Sequence, residues 1–427
     1  MLRLRLRSLE LFEKLPTPNW LVGVEELDLE ELAHYARPDV EKAHRWEEVP
    51  EELKRVYERL GLPELERKVL AGLSIQLESE VVFLSFRRYL EDKGVLILDM
   101  EEAVRRYPDL VKRYFMRVFP PSDHKFAALH GALWSGGAFV YVPPGVAVEA
   151  PVEAFFLVSS ELLSQFEHSI IVADRGSRIH FIEGCAAPLF RKYSFHDGMV
   201  EIYVGEGARV KFTTLQNWSR NIINFNNKRA LVERGGSVEW AEVALGSKVT
   251  YTYPSVILRG EGASASIYNF TFAKGPTWKD SGAKALHLAP NTRSEVLSKS
   301  VSLMGGTSVY RGLVRVARGA RGALASVSCG SLVLDERSSA HTYPRNEVEE
   351  PTATVTHEAS VWRLSEDALF YLRSRGLRAA EARKLAVLGY AGDVLEAVAG
   401  LASGLLIEYY AVLRRVLDLE LEEGGYG

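Results

Sequence analysis

The sequence predicts a mainly β protein, a β-solenoid core with helical segments on either side, and two observations carry that prediction. The first is a change of period. Up to about residue 120, apolar residues recur three and four apart, as in "VPEELKRVYERLGLPELERKVLAGL". From about 135 to 361, Val, Ile, Tyr, Phe and Thr alternate with polar residues, and after "HEASVWRLSEDALFYLRSRGL" the helical period returns. The second is a repeat. The turns "DRGSRIHFIEG", "GEGARVKFTTL", "ERGGSVEWAEV", "GEGASASIYNF" and "APNTRSEVLSK" follow one another at steps of 31, 28, 27 and 29 residues, counted between Gly176, Gly207, Gly235, Gly262 and Asn291. A small residue then opens an alternating strand each time. One coil per step, none able to bury its inner face alone, is the pattern of a solenoid. A β-sandwich places its turn signals roughly every 8–12 residues, without one recurring turn type.

Three parts follow from these periods: a mostly helical domain over 1–134, the solenoid over 135–361 and a helical domain over 362–427. Within the first, the Gly-Leu-Pro of 61–63 breaks two helices, "KGVLILD" is a short strand, and "FPPSDHKFAALHGALW" is a turn followed by a helix. In the last, Ser365 caps a helix whose first turn holds Glu366 and Asp367, and Gly376 ends it. Residues 379–399 and 401–421 read as two further amphipathic helices. Such a helical end either docks a partner or covers the open end of the solenoid, where strand edges would otherwise lie unpaired.

Composition limits the function. The 427 residues are 47% hydrophobic and 25% charged, with a formal net charge of −4, so no basic excess marks a nucleic-acid binder. No run of 18 uncharged apolar residues predicts a membrane span, and "MLRLRLRSLELF" lacks the apolar stretch of a secretory signal, so a cytoplasmic protein is expected. The two cysteines, Cys185 and Cys329, make neither a disulfide framework nor a closed zinc site. No GxxxxGK[ST] loop, GxSxG elbow or HExxH helix occurs, Val361 standing where the second histidine of HExxH would be. Paired aspartates of the kind carbohydrate-cleaving solenoids use are also lacking.

What remains is a small set of ligand-type side chains. Cys329 lies in "LASVSCGSLVL", in phase with Ala325, Val327 and Ser331. His357 and Glu358 lie 28 and 29 residues further on, in "ATVTHEAS". Neighbours in a strand point to opposite faces, so these two do not both serve one centre within one chain unless a bulge re-aims one. A free cysteine among small residues reads equally as a buried small hydrophobe.

The segments "KGVLILDMEEAVRRYPDLVKRYF", "FAALHGALWSGGAFVYVPPGV", "IEGCAAP", "TTLQNW", "KALHLAPNTRSEVLSKSVS", "CGSLVLDERSSAHTYPRNEV" and "VTHEASVWRLSEDALFYLRSRGL" resemble, in order, the SufB/SufD family, the scaffold proteins of the SUF iron–sulfur cluster assembly system. The resemblance spans about residues 15–400 and is closer to SufB, through "WSGGAFVYVPPGV", "EGCAAP" and the cysteine of "SCGSLVL" with "HEAS". It implies a right-handed parallel β-helix and a scaffold rather than a conventional turnover enzyme. Clusters would be built on it and passed to recipient apo-proteins. Cys329 resembles the cluster ligand and final sulfur acceptor, His357 and Glu358 further ligands, and His341 a further one or a strand-end histidine with a structural hydrogen bond. Cys185 matches the cysteine that takes sulfur from a cysteine desulfurase and its carrier, and Gln216, Asn217, Trp218 and Lys228 match a transfer path inside the β-helix.

The resemblance also implies partners and cofactors. A SufC-type ABC ATPase would dock on the C-terminal helices, and a second SufB or SufD chain on the end of the β-helix. A nascent, labile iron–sulfur cluster is the expected cofactor, and a reduced flavin follows from the resemblance alone. Lys228 or Arg229 is expected to lower a cysteine pKa and favour persulfide transfer. A cysteine-rich N-terminal motif of many SufB chains is missing, because no cysteine precedes Cys185. The alternative is a SufD-like structural or iron-delivery partner without essential ligands of its own.

Overall fold

The computed structural model describes residues 1–39, 42, 43, 46–49, 51, 54, 70, 72–86, 88–187 and 191–401. The helices expected within 49–71 and 401–421 fall largely outside these residues.

The alternating segment winds into a β-solenoid of about eight turns made of two sheets. The first sheet runs through Glu80–Phe86, Gly72–Leu77, Val152–Leu157, Arg178–Ala186, Arg209–Trp218, Ser237–Gly246, Ser264–Lys274, Arg293–Leu303, Leu324–Val333 and Thr354–Arg363. The second runs from Leu96–Asp99 and Ala138–Val142 through successive coils to Thr307–Val316 and Ser339–Val348. Successive coils pair in parallel and in register, so identical phases stack into files along the interior. Phe181, Phe212, Trp240, Ile267, Val296 and Val327 form one such file, each paired with the next.

The five marker residues of the repeat sit at φ values between +57° and +69°. Only Gly, or Asn at some cost, adopts that conformation readily, which is why those residue types recur there. Their amides bond to the next coil's turn: Gly207 donates to Arg234 O at 2.9 Å and Gly235 to Glu261 O at 2.9 Å. The turns therefore stack as regularly as the strands.

The two ends differ. At the N-terminal end both sheets finish with an antiparallel strand, Glu80–Phe86 on Gly72–Leu77 and Leu96–Asp99 on Ala138–Val142. The run "VVFLSF" is rich in β-branched and aromatic residues and so adds a strand to a part that otherwise reads as helical. Helices Leu2–Lys14, Met100–Arg106, Pro108–Tyr114 and Lys125–Leu133 lie in this part. Buried Glu201 fixes its connection, accepting the backbone N–H of Met116, Val118 and Phe119 at 2.5, 2.9 and 3.1 Å. At the C-terminal end Ser339–Val348 and Thr354–Arg363 close the strand order of both sheets, with no further strand paired to them among the described residues. Tyr343, Val348, Val361 and Trp362 are exposed there.

The helix Glu366–Ser374 starts on Ser365, whose hydroxyl accepts the Ala368 N–H at 3.1 Å, and gives way to Gly376 at φ +93°. Helix Ala379–Leu401 does not cover the open end. It lies on the outer face of the first sheet, where Val387, Ala391, Val394 and Leu395 pack with Leu215, Val243, Phe270, Val301 and Leu332. Lys299 pins it by bonding to Tyr390 O and both Asp393 carboxylate oxygens at 2.6–2.7 Å. An apolar outer face on those strands needs a cover, and the helix supplies it.

Candidate functional site

The two thiols share one interior. Cys185 and Cys329 are both buried and belong to the same inner cluster, five coils apart along the first sheet. Strand alternation aims both inwards, in phase with the aromatic and aliphatic file.

Around Cys185 the interior is polar. Gln216 stands beside it in register and donates Nε2–H to its Sγ at 3.1 Å. The same amide reaches Glu183 Oε1 at 3.0 Å, and Lys228, fully buried, pairs with that oxygen at 2.5 Å. Trp218 Nε1 donates to Gln216 Oε1 at 2.8 Å. Gln216, Trp218 and Lys228 are thus gathered at the thiol, as the sequence suggests. Asn217 is not: it has the opposite phase, paired with Ala186 and Leu245, beside the outward-facing Leu215. Arg229 also turns outwards, to Asp123 at 2.9 Å.

The expected low thiol pKa does not hold at Cys185. Burial pushes the thiol well above its ordinary value, and Glu183 and Glu167 push the same way. Lys228 and the Gln216 amide oppose this and lose. Lys228 is largely committed to the carboxylates: burial pulls its ammonium down, but Glu183, Glu242 and Cys185 together hold its pKa above the ordinary lysine value.

At the other thiol, Cys329 Sγ lies 3.6 Å from His357 Nε2. His357 pairs with Val327, so an imidazole ends the file that began with Phe181. Burial lowers the His357 pKa, which keeps the ring neutral and its nitrogens available as ligands near pH 7. Glu358 has the opposite phase, pairs with Ser328 and is exposed, so of the "HE" pair the histidine faces the thiol. Burial, then the charge of Glu358, raises the Cys329 pKa to about 11. His341 is exposed, paired with Val309 and near the Trp278 ring at 6.5 Å, on the phase opposite to inward Tyr310. The structure brings Cys329 and His357 together and leaves Glu358 and His341 on outer phases. Tyr310, 6.3 Å from the His357 ring, has a buried hydroxyl without a hydrogen-bond partner.

Sequence reasoning missed what lies between the thiols. Glu183, Thr214, Glu242, Asn269, Ser298 and Cys329 pair successively in one inward file. The parallel file runs Cys185, Gln216, Ala244, Thr271, Ser300 and Ser331. All are buried, and contacts such as Ser300 to Ser331 at 2.9 Å join consecutive coils. The available signal was phase: Glu183 and Cys185, or Thr214 and Gln216, are two apart and share a face.

Two family models cover this arrangement. One, described as the SufBD core domain of the SUF iron–sulfur cluster assembly system, matches residues 155–390. The other, the SufBD protein N-terminal region, matches residues 4–154. The chain belongs to the SufBD family. It is 43% identical over 422 residues to an iron–sulfur cluster assembly SufBD family protein of Staphylococcus saprophyticus, with 99% of this chain and 89% of the relative covered. A protein of the same description from Staphylococcus aureus is 42% identical over 422 residues, with the same coverage. In this SufBD chain both cysteines are free, and among the described residues no helix is long and apolar enough to cross a membrane.

Proposed function

We propose that the chain is a SufB-like scaffold on which an iron–sulfur cluster is assembled and then released to apo-proteins. The observation that carries this is the placement of two inward thiols at the two ends of buried polar files, with Cys329 beside His357 one coil from the open end. Sulfur from a cysteine desulfurase and its carrier would enter the chemistry at Cys185, pass along the interior and end on Cys329. Gln216, whose amide donates to the Cys185 sulfur and is oriented by the Trp218 N–H, would stabilise an anionic sulfur there, with the Lys228 charge nearby. Iron and sulfide are the cargo, and thiolate with imidazole is a fitting donor set for iron.

One thiolate per chain is too few for the usual four of a cluster. The free edges Ser339–Val348 and Thr354–Arg363, with exposed Tyr343, Val361 and Trp362, favour docking of a second SufB or SufD chain that completes the ligand set. Glu358 and His341, exposed at that end, are placed to join from the rim. Exposed Phe370 and Tyr371 on helix Glu366–Ser374 favour docking of a SufC-type ATPase, since this sequence has no phosphate-binding loop. The proposed role is assembly rather than turnover, in the cytoplasm.

Anaerobic reconstitution with Fe2+ and sulfide tests the reading. Wild-type chain with its partners is expected to acquire the visible absorbance of a cluster and pass it to an apo-ferredoxin. Cys329→Ala is expected to lose both, and full transfer by that variant would instead favour the SufD-like reading.

A further inference from the structure

Next to Cys185 are two ligand-type side chains, Glu167 and His196, that the sulfur path does not use. Glu167, Cys185 and His196 offer one ligand atom each, all within 4.8 Å of one another, and all three residues are at most 3% exposed in their side chains or 2% overall. They come from both sheets: Cys185 from Arg178–Ala186, His196 from Ser194–Val204, and Glu167 from the residue before His168–Ala173.

The surroundings hold these groups in place. His196 Nδ1 bonds Asn224 Oδ1 at 2.7 Å, and the ring packs on Trp218 with centroids 4.3 Å apart. In the tautomer whose Nδ1–H goes to Asn224, Nε2 presents its lone pair to Glu167 Oε1, 2.7 Å away. Two electron-pair donors at that separation need a proton or a cation between them. The other Glu167 oxygen, Oε2, is buried without a hydrogen-bond partner. Leaving a carboxylate oxygen so placed is costly unless something occupies the space before it.

Gly198, on the inward phase of His196, leaves room for the Glu167 carboxylate and the imidazole. A Cβ there would lie 2.3 Å from Glu167 Oε1 and 3.0 Å from the His196 ring. The charge balance points the same way. Glu183 is taken by Lys228, whereas no lysine or arginine pairs with Glu167 among the described residues. A dication supplies the missing positive charge, and the Cys185 thiol gives up its proton as the metal–sulfur bond forms.

We propose that Glu167, Cys185 and His196 form an interior binding site for a borderline divalent transition metal, Fe2+ or Zn2+. One sulfur, one nitrogen and one carboxylate oxygen select such ions over Mg2+ and Ca2+, which take oxygen ligands. The Asn224 bond orients the imidazole as outer contacts commonly do for metal-bound histidines. Three ligands leave one coordination position open, as in sites that accept an exogenous group. The site does not depend on the cluster role of Cys329, and its test needs no cluster.

The probe is Co2+, titrated anaerobically into the full chain carrying Cys329→Ser, so that Cys185 is the sole thiol and the interior is otherwise unaltered at this end. One equivalent is expected to bind with a thiolate-to-cobalt charge-transfer band, to be displaced by Zn2+ and Fe2+, and to resist a large excess of Mg2+. Cys185→Ser is expected to lose the band. Glu167→Gln and His196→Gln are expected to weaken binding by at least the ~10-fold that loss of an outer contact costs, with circular dichroism confirming their fold. Absence of the band in Cys329→Ser, undiminished binding in both Glu167→Gln and His196→Gln, or displacement by Mg2+ would each overturn the proposal. Failed cluster assembly by the wild-type chain, with an intact cobalt band in Cys329→Ser, would count against the scaffold reading alone.

Discussion

The reactivity of Cys329 can be worked out from its surroundings. Burial, then Glu358, holds its pKa at about 11, against an ordinary 9.0. Only the thiolate reacts with an alkylating agent, so at pH 8 Cys329 carries about a hundredth of the thiolate of an ordinary cysteine and alkylates about a hundredfold more slowly. Glu358→Gln removes the smaller of the two causes. Its rate at pH 8 should therefore rise by less than about tenfold, because burial remains. The assay is timed iodoacetamide labelling of the free chain between pH 7.5 and 10, with the Cys329 peptide quantified by mass spectrometry. The rate should climb about tenfold per pH unit throughout and show no plateau. A plateau below pH 10, or a slower Glu358→Gln variant, would refute this account of the site.

Other outcomes follow from the interior. Lys228→Met strands Glu183 and should cost about 3–5 kcal/mol in denaturant unfolding, most of it recovered in Lys228→Met/Glu183→Gln; a loss under about 1 kcal/mol would show that the pair is not buried as described. Leu395→Ala removes a buried contact between helix Ala379–Leu401 and the first sheet and should weaken docking by about 2–5 kcal/mol, read as faster hydrogen exchange over that helix while the solenoid strands stay protected. Burial holds His124 and His287 down to about 4 and, against Lys211 as well, His180 to about 3. Their unfolded forms take up protons below about 6.5, so the stability they give is complete above that value and falls as pH drops from 6.5 towards 4. Melting temperatures at pH 7, 5.5 and 4.5 should decline in that order, less steeply in His287→Gln.

Much of the architecture is legible because a solenoid writes itself locally. Each coil needs a left-handed residue at its turn, and Gly176, Gly207, Gly235, Gly262 and Asn291 occupy those turns with the expected spacing. The alternation also settles which of His357 and Glu358 faces Cys329 once the phase of Cys329 is known. Four things were harder to read. Asn217 sits between two path residues in sequence, yet the period of two turns it outwards. Lys228 was expected to acidify a thiol, but complete burial and the carboxylates of Glu183 and Glu167 decide the balance at Cys185. Glu167 and His196 come from separate segments and meet Cys185 only through the pairing of distant strands, so no local motif marks them. Nor does a helical period say which surface a helix covers, and Ala379–Leu401 covers a sheet face rather than the open end.

The central claim is that sulfur taken up at Cys185 becomes a cluster at Cys329, and feeding the two thiols separately tests it most directly. Cluster formation on the partnered chain is measured with Fe2+ and with sulfur supplied either by a cysteine desulfurase and its carrier, together with a reduced flavin that gives the two electrons turning each persulfide sulfur into sulfide, or as free sulfide. The account predicts that Cys185→Ala fails with the desulfurase and succeeds with sulfide, whereas Cys329→Ala fails with both. Assembly by Cys329→Ala at the wild-type level from either source would contradict it.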